Sequence, residues 1–290
     1  MLTLLPGSAV DVRLETGATP EAAAAVAQQL GLDQPPLARY GRWLRGLAVG
    51  ELGDSATYHA PIAELVAERL LVTVLLALIA MVLTTAFALA LGVFAASRHR
   101  RLGDAGVMAF SQLGMAVPSF WLAILLIQVF AIQLHWFPAG FAGWDEGPAA
   151  ALGSLLLPAV ALAAVQAAIL ARVTRSAVLE VMREDFVRSA RAQGLGRRAV
   201  LWRHVLRNAM VPVLTVMGLQ FANLLTGTIV VEKVFALPGL GQLVFQAIAN
   251  RDLLVVQNVV MLFAAAVIAI NFVVDLALVA IDPRLKAIHR

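Results

Sequence analysis

Five stretches of the chain carry no Asp, Glu, Lys or Arg: Leu70 to Ser97, Ala105 to Trp144, Gly147 to Ala171, Asn208 to Val231 and Leu253 to Val274. Each is at least 22 residues long, and about 20 apolar residues cross a hydrocarbon core as a helix. A membrane barrel would instead show segments of about ten residues alternating in hydrophobicity. The pattern predicts an all-α polytopic membrane helix bundle with spans at about 70–97, 106–134, 150–171, 209–231 and 254–281. Pro118 lies inside the second stretch, where it removes a backbone hydrogen bond and is expected to kink the span. At 40 residues that stretch exceeds one span and runs into a loop containing Trp136, Phe137 and Pro138, aromatics suited to the bilayer interface.

Composition agrees with the pattern. Hydrophobic residues make up 61% of the 290 and charged residues 14%, against about 25% charged in a soluble domain. Positive charge marks the cytoplasmic ends of spanning helices, and here it is one-sided. Arg98, Arg100 and Arg101 follow the first span, nine arginines lie between Arg172 and Arg207, and Arg284, Lys286 and Arg290 lie in the tail. The connection from His135 to Ala149 has no Lys or Arg, and that from Glu232 to Asp252 has only Lys233 and Arg251. The alternation places residues 1–68 outside, the spans and connecting loops within 69–281, and the tail 282–290 in the cytoplasm. Because Met1 to Pro6 offers no export signal, either the first span inserts with its N-terminus outward or an upstream helix is missing, and the missing helix is the expectation.

The outer segment reads as ordered. Thr19 and Pro20 form a start signal for a helix over Glu21 to Leu30, which Gly31 is placed to stop. Leu37, Tyr40, Leu44 and Leu47 then recur at helical spacing with Arg39, Arg42 and Arg45 on other faces. This helix either packs on the outer surface of the protein or lies in the lipid interface.

Several chemistries are excluded. The absence of cysteine removes disulfides, thiolate metal sites and Cys nucleophiles. A P-loop needs Lys followed by Ser or Thr, whereas Lys233 precedes Val234 and Lys286 precedes Ala287. Gly194-Leu195-Gly196 and Gly239-Leu240-Gly241 sit between spans rather than in βαβ units, so they are not dinucleotide loops. His59, His99, His135, His204 and His289 make no i,i+4 pair, and no Ser occupies a Gly-x-Ser-x-Gly elbow. No catalytic residue and no metal site is expected, and nucleic acid is not an expected partner.

One ionisable group falls inside a span. Asp275 lies seven residues before Asp282, about 10 Å from the helix end, and serves either as a structural partner or as a proton or ion relay. The second use would make the protein an ion-coupled or proton-coupled secondary transporter. Uncharged polar residues within the spans are Gln112, Gln128, Gln166, Gln220, Asn223, Thr226, Thr228, Asn258 and Asn271. Gln220, Asn223 and Thr226 share one helix face and are the candidate pathway-lining group, although interhelical hydrogen bonding explains many such residues.

The connection from Arg172 to Arg207 exceeds what orientation requires. Val173 to Gln193 contains no Gly or Pro, Gly194-Leu195-Gly196 breaks the helix, and Arg197 to Arg207 resumes it. Such a hairpin is suited to insertion into a groove on another protein. Arg188-Ser189-Ala190 followed by Gly194 resembles the Glu-Ala-Ala-three-residue-Gly motif of permease subunits of binding-protein-dependent ABC importers, with Arg188 in place of Glu. His204-Val205-Leu206-Arg207 keeps only the Leu of that motif's second half.

The likeness is closer to the dipeptide, oligopeptide and nickel subgroup. It runs through Asp185-Phe186-Val187-Arg188-Ser189-Ala190-Arg191-Ala192-Gln193-Gly194-Leu195 and His204 to Ala209. Leu5-Pro6-Gly7, Gly31-Leu32-Asp33, Gly53-Asp54-Ser55, Pro118-Ser119-Phe120-Trp121, Trp136-Phe137-Pro138, Val230-Val231-Glu232 with Phe235, Pro238-Gly239-Leu240-Gly241 and Asp282-Pro283-Arg284 extend it in family order over the chain. In that subgroup the equivalent of Leu4 to Gly7 follows a first transmembrane helix, which is absent here.

The resemblance implies a type I importer transmembrane domain in a bacterial inner membrane, moving peptides or similar small solutes by alternating access. It implies a second homologous permease, two ATP-binding subunits carrying ATP and Mg, and an extracytoplasmic solute-binding protein, with membrane lipids around the spans. Arg188, Ser189, Ala190, Arg191, Gln193, Gly194, Leu195 and Gly196 would form the coupling helix and its turn. Arg191, Arg197 and Arg198 either pair with acidic rims of the ATPase cleft or fix orientation against anionic headgroups. Pro238, Gly239, Leu240 and Gly241 either receive the binding protein or simply turn the chain.

Overall fold

The computed structural model describes residues 35–281. The expected helix over Glu21 to Leu30 and the tail motif Asp282-Pro283-Arg284 lie outside those residues. Helices dominate the described chain, with one isolated antiparallel bridge between Asp54 and Pro61. In order they are α1 Pro36–Val49, α2 Ile62–Ser97, α3 Leu102–Ala116, α4 Ser119–Leu126, α5 Pro148–Val181, α6 Asp185–Ala192, α7 Arg197–Val200, α8 Leu206–Val234, α9 Leu240–Ala249 and α10 Leu253–Ile281. π-helical segments Ile127–Gln133 and Leu201–Val205 continue α4 and join α7 to α8.

Four of these runs are long and apolar enough to cross a bilayer: Ile62–Ser97, Pro148–Val181, Arg197–Val234 and Leu253–Leu276. The pair α3 and α4 with its continuation is apolar enough only when taken together and is bent by 100° between Ala116 and Ser119, the geometry of a broken span or a re-entrant loop. Pro118 therefore breaks the helix instead of kinking it. It supplies no N–H to α3, and it holds Val117 extended (ψ 122°), which ends the helix.

The chain forms two compact units, one from residues up to 73 together with 238–264, the other from 74–237 together with the segment from 265 onward. In the second unit α5 is central: 67% of its most apolar window is buried. Its alanines admit neighbouring backbones closely, the packing mode available where lipid removes the hydrophobic drive between helices. A Cβ on Gly92 of α2 would sit 2.6 Å from Thr174 Cβ of α5, and one on Gly114 of α3 would sit 2.9 Å from Ala168 Cβ.

Sequence reading predicts one helix from Val173 to Gln193, yet α5 ends at Val181 and α6 starts at Asp185, with Glu184 extended (ψ 149°). Burial explains the turn. Val187 and Ala190 of α6 and Val200 and Val205 beyond it pack with Ala177, Val178, Leu170, Ala209 and Val213 in one apolar cluster.

In the first unit Ile62, Leu65, Leu240, Leu243, Val244, Val255 and Val259 form the core. Helix α1 ends at Gly50 (φ 82°), whose N–H donates to Leu47 O while Glu51 N–H donates to Gly46 O. The apolar stripe Leu37, Tyr40 and Leu44 stays exposed. The side chain that ties α1 down is Trp43, donating its indole N–H to Asn258 Oδ1 at 3.1 Å. The connection from Glu232 to Asp252, read as a loop, is mostly helical, because α8 runs to Val234 and α9 fills Leu240–Ala249.

Candidate functional site

The hairpin between α5 and α8 is built by a helix stop. Gly194 takes the left-handed conformation (φ 85°). Its N–H donates to Arg191 O at 3.0 Å, and Leu195 N–H reaches back to Ala190 O at 3.3 Å, the paired bonds that satisfy the last carbonyls of α6. A side chain at this position is strained by about 1–2 kcal/mol. Val187 and Ala190 point into the core, so Arg188, Ser189, Arg191, Gln193, Gly194, Leu195, Gly196, Arg197 and Arg198 are left exposed. Arg188 is paired with Asp185 at 3.3 Å, and Ser189 Oγ donates to Asp185 O at 3.1 Å. Ala190, one of the expected contact residues, is only 7% exposed and acts as an anchor. The result is an exposed cationic surface. Exposed Phe186 and Trp202 flank it; sequence reading missed them as surface features, although aromatics amid charge were a signal.

A polar clamp ties the start of α3 to the last turns of α5. Asp104 precedes the uncharged stretch beginning at Ala105, and Arg175 follows the one ending at Ala171. Arg175 Nη2 donates to Asp104 Oδ2 at 2.7 Å and its Nε to Oδ1, while the Arg100 backbone N–H donates to Oδ2 at 3.0 Å. His99 Nδ1 lies 3.2 Å from the same oxygen. The Arg175 hydrogen bond, despite burial opposing it, holds the Asp104 carboxyl down at about 2. Seventy-one residues separate the pair, and no local spacing announces it.

The three expected pathway residues part company. Gln220 is buried and donates Nε2 to Gln166 O at 3.1 Å. Asn223 is exposed on the unit and lines a cavity of about 320 Å³ with Ser119 and Gln166. Thr226 is exposed but returns its hydroxyl to Ala222 O at 3.3 Å, and buried Thr228 bonds Leu225 O at 2.7 Å. The Oε1 atoms of Gln166 and Gln220 are buried with no hydrogen-bond partner among the described residues, an arrangement costing about 1–3 kcal/mol per group. Asp275 lies exposed on α10.

The Pro238 to Gly241 turn is mostly closed to a docking partner. Pro238 is exposed, but Gly239, Leu240 and Gly241 are buried, and Leu240 N–H donates to Thr73 Oγ1 at 2.8 Å. The turn seats α9, and the exposed apolar side chains it presents are Phe245 and Ile248. Nearby, buried Asp252 accepts from Ser55 Oγ at 2.6 Å and Thr57 N–H at 3.1 Å, and Tyr58 Oη donates to Gln246 Oε1. Gly53-Asp54-Ser55 thus closes the loop before α2 onto the start of α10.

A family model described as binding-protein-dependent transport system inner membrane component matches residues 88–287. A putative peptide transport system permease of Brucella abortus (strain 2308) is 44% identical over 287 residues, covering 99% of this chain and 91% of the relative. A probable peptide ABC transporter permease of Sinorhizobium fredii is 37% identical, covering 99% and 92%. The glutathione transport system permease of Salmonella paratyphi A is 39% identical, covering 98% and 90%. The fold is that of a chain of the inward-facing MetNI methionine ABC transporter, with a TM-score of 0.62 at 18% identity over 75% of this chain and 96% of that one. With most of its length matched, the chain belongs to the binding-protein-dependent transport system inner membrane components, the permease subunits of ABC importers.

Proposed function

We propose that this permease subunit carries peptides or peptide-like small solutes into a bacterial cell, working with a second homologous permease, two ATP-binding subunits and an extracytoplasmic solute-binding protein. ATP and Mg belong to the ATP-binding subunits, and this chain supplies a path and a lever. The single observation that carries the reading is the hairpin of α6 and its Gly194 turn. An exposed, arginine-rich hairpin anchored by Val187 and Ala190 on the ends of spans would pass a push from a docked partner into those spans. The names of the peptide and glutathione permease relatives favour the peptide class. Arg188, Arg191, Arg197 and Arg198 are the cations that would meet acidic rims of the partner's cleft, with Leu195, Phe186 and Trp202 as apolar contacts. The hairpin and the tail 282–290 face the cytoplasm in this reading. An ion-coupled carrier built on Asp275 gains no support, since family membership accounts for the spans and the hairpin together.

Copurification from native membranes is expected to bring down two ATPases and a second permease in stoichiometric amounts. Gly194→Val is expected to leave the complex assembled while solute-stimulated ATP hydrolysis falls at least tenfold. Unchanged stimulation in that variant would sink the lever assignment.

A further inference from the structure

We infer that the break at Pro118 opens a solute-contact pocket at mid-depth in the bundle, shaped for the neutral N–H and C=O groups of a short peptide. This rests on the peptide-permease reading above and adds where, and by what chemistry, the solute is met inside the membrane. Pro118, Gln166 and Asn223 each lie near the middle of their helical runs, Leu102–Gln133, Pro148–Val181 and Leu206–Val234. Because the break displaces α4 from the line of α3, a cavity of about 320 Å³ remains between this corner, α5 and α8, within the range of sites that hold small molecules.

Its lining holds no ionisable side chain. The walls are apolar, with Met115, Leu162 and Gly227 among them, and the polar groups are Ser119, Gln166 and Asn223. The Gln166 side chain lines the cavity, and its carbonyl oxygen is closed off with no protein donor among the described residues, so rotation of the amide towards the cavity would let it accept from a peptide N–H. The Asn223 amide and the Ser119 hydroxyl both donate and accept. Such a set suits a net-neutral solute that presents amide donors and acceptors, and it gives a multiply charged anion no counter-charge.

The chain has no cysteine, so Asn223→Cys introduces a single reporter thiol in this subunit. The test uses the complete importer in nanodiscs with a charged, membrane-impermeant methanethiosulfonate reagent, and it takes Phe272→Cys on an exposed apolar face as reference. Asn223→Cys is expected to react at least tenfold faster than Phe272→Cys. Millimolar Gly-Leu, added with the binding protein and ATP, is expected to slow that reaction severalfold, whereas the multiply charged anion citrate is not. Gln166→Leu should raise the half-saturating Gly-Leu concentration for transport about tenfold, the worth of one neutral hydrogen bond. A rate no faster than at Phe272→Cys overturns the pocket even where Gly-Leu still stimulates ATPase. Fast labelling that Gly-Leu leaves unprotected, in a complex whose ATPase it stimulates, overturns solute contact. Failure of a panel of di- and tripeptides to stimulate wild-type ATPase overturns the peptide reading, and with it the solute class inferred here.

Discussion

Asp104 shows how one carboxylate ties two helices, α3 and α5, together. It is 4% exposed and gathers Arg175, the Arg100 backbone and His99 from three positions. Removing one partner of a buried pair leaves the other charged and poorly solvated, and with the Arg175 side chain 19% exposed Asp104→Asn is expected to cost about 3 kcal/mol, the low end for such a pair. Since the folded carboxyl titrates at about 2 rather than 3.8, its contribution is complete above about pH 4 and is lost as the pH falls towards 2. Thermal unfolding in detergent should show a gap between wild type and Asp104→Asn that is constant from pH 5 to 7 and narrows below pH 4. A gap unchanged at pH 2.5 would disprove the assignment.

Among the helices, the contrast between two glycines measures how tightly elements meet. Gly92 leaves no room for a methyl group against Thr174, whereas a Cβ on Gly106 of α3 meets nothing within 4 Å. Gly92→Ala is therefore expected to destabilise by about 1–3 kcal/mol through overpacking. Gly106→Ala should stabilise by up to about 1 kcal/mol through helix propensity. Melting temperatures that move in the same direction would contradict the packing described. The spans themselves were legible in the chain, because a charge-free run of that length has few other destinations. The break at Met182 to Glu184 was not: it contains neither Gly nor Pro, and only the burial of Val187 and Ala190 requires it. Leu240 misled for a similar reason. A Pro-Gly turn signals a bend, but whether its side chains face outward depends on α2 supplying Thr73 as an acceptor 167 residues away. Gln166 was visible as a polar residue in a span, yet its pairing with the Pro118 break and Asn223 belongs to tertiary structure.

At the scale of the molecule, the charge asymmetry predicts sidedness that the cysteine-free chain makes easy to read. One span, α5, separates Ala139 from Ser189, so single cysteines at these positions should lie on opposite sides of the membrane. An impermeant maleimide added to intact spheroplasts is expected to label Ala139→Cys and spare Ser189→Cys until the membrane is opened. Labelling of both from outside would refute the topology. The clasp in the first unit carries a different implication. Ser55 meets Asp252 across 197 residues and Trp43 meets Asn258 across 215. At a synthesis rate of about 5–20 residues per second, α1 and the loop after it wait roughly 10–40 s for partners that the ribosome has not yet made. Through that interval Trp43 has no Asn258 to bond, so the clasp of the first unit closes only after nearly the whole chain has been made.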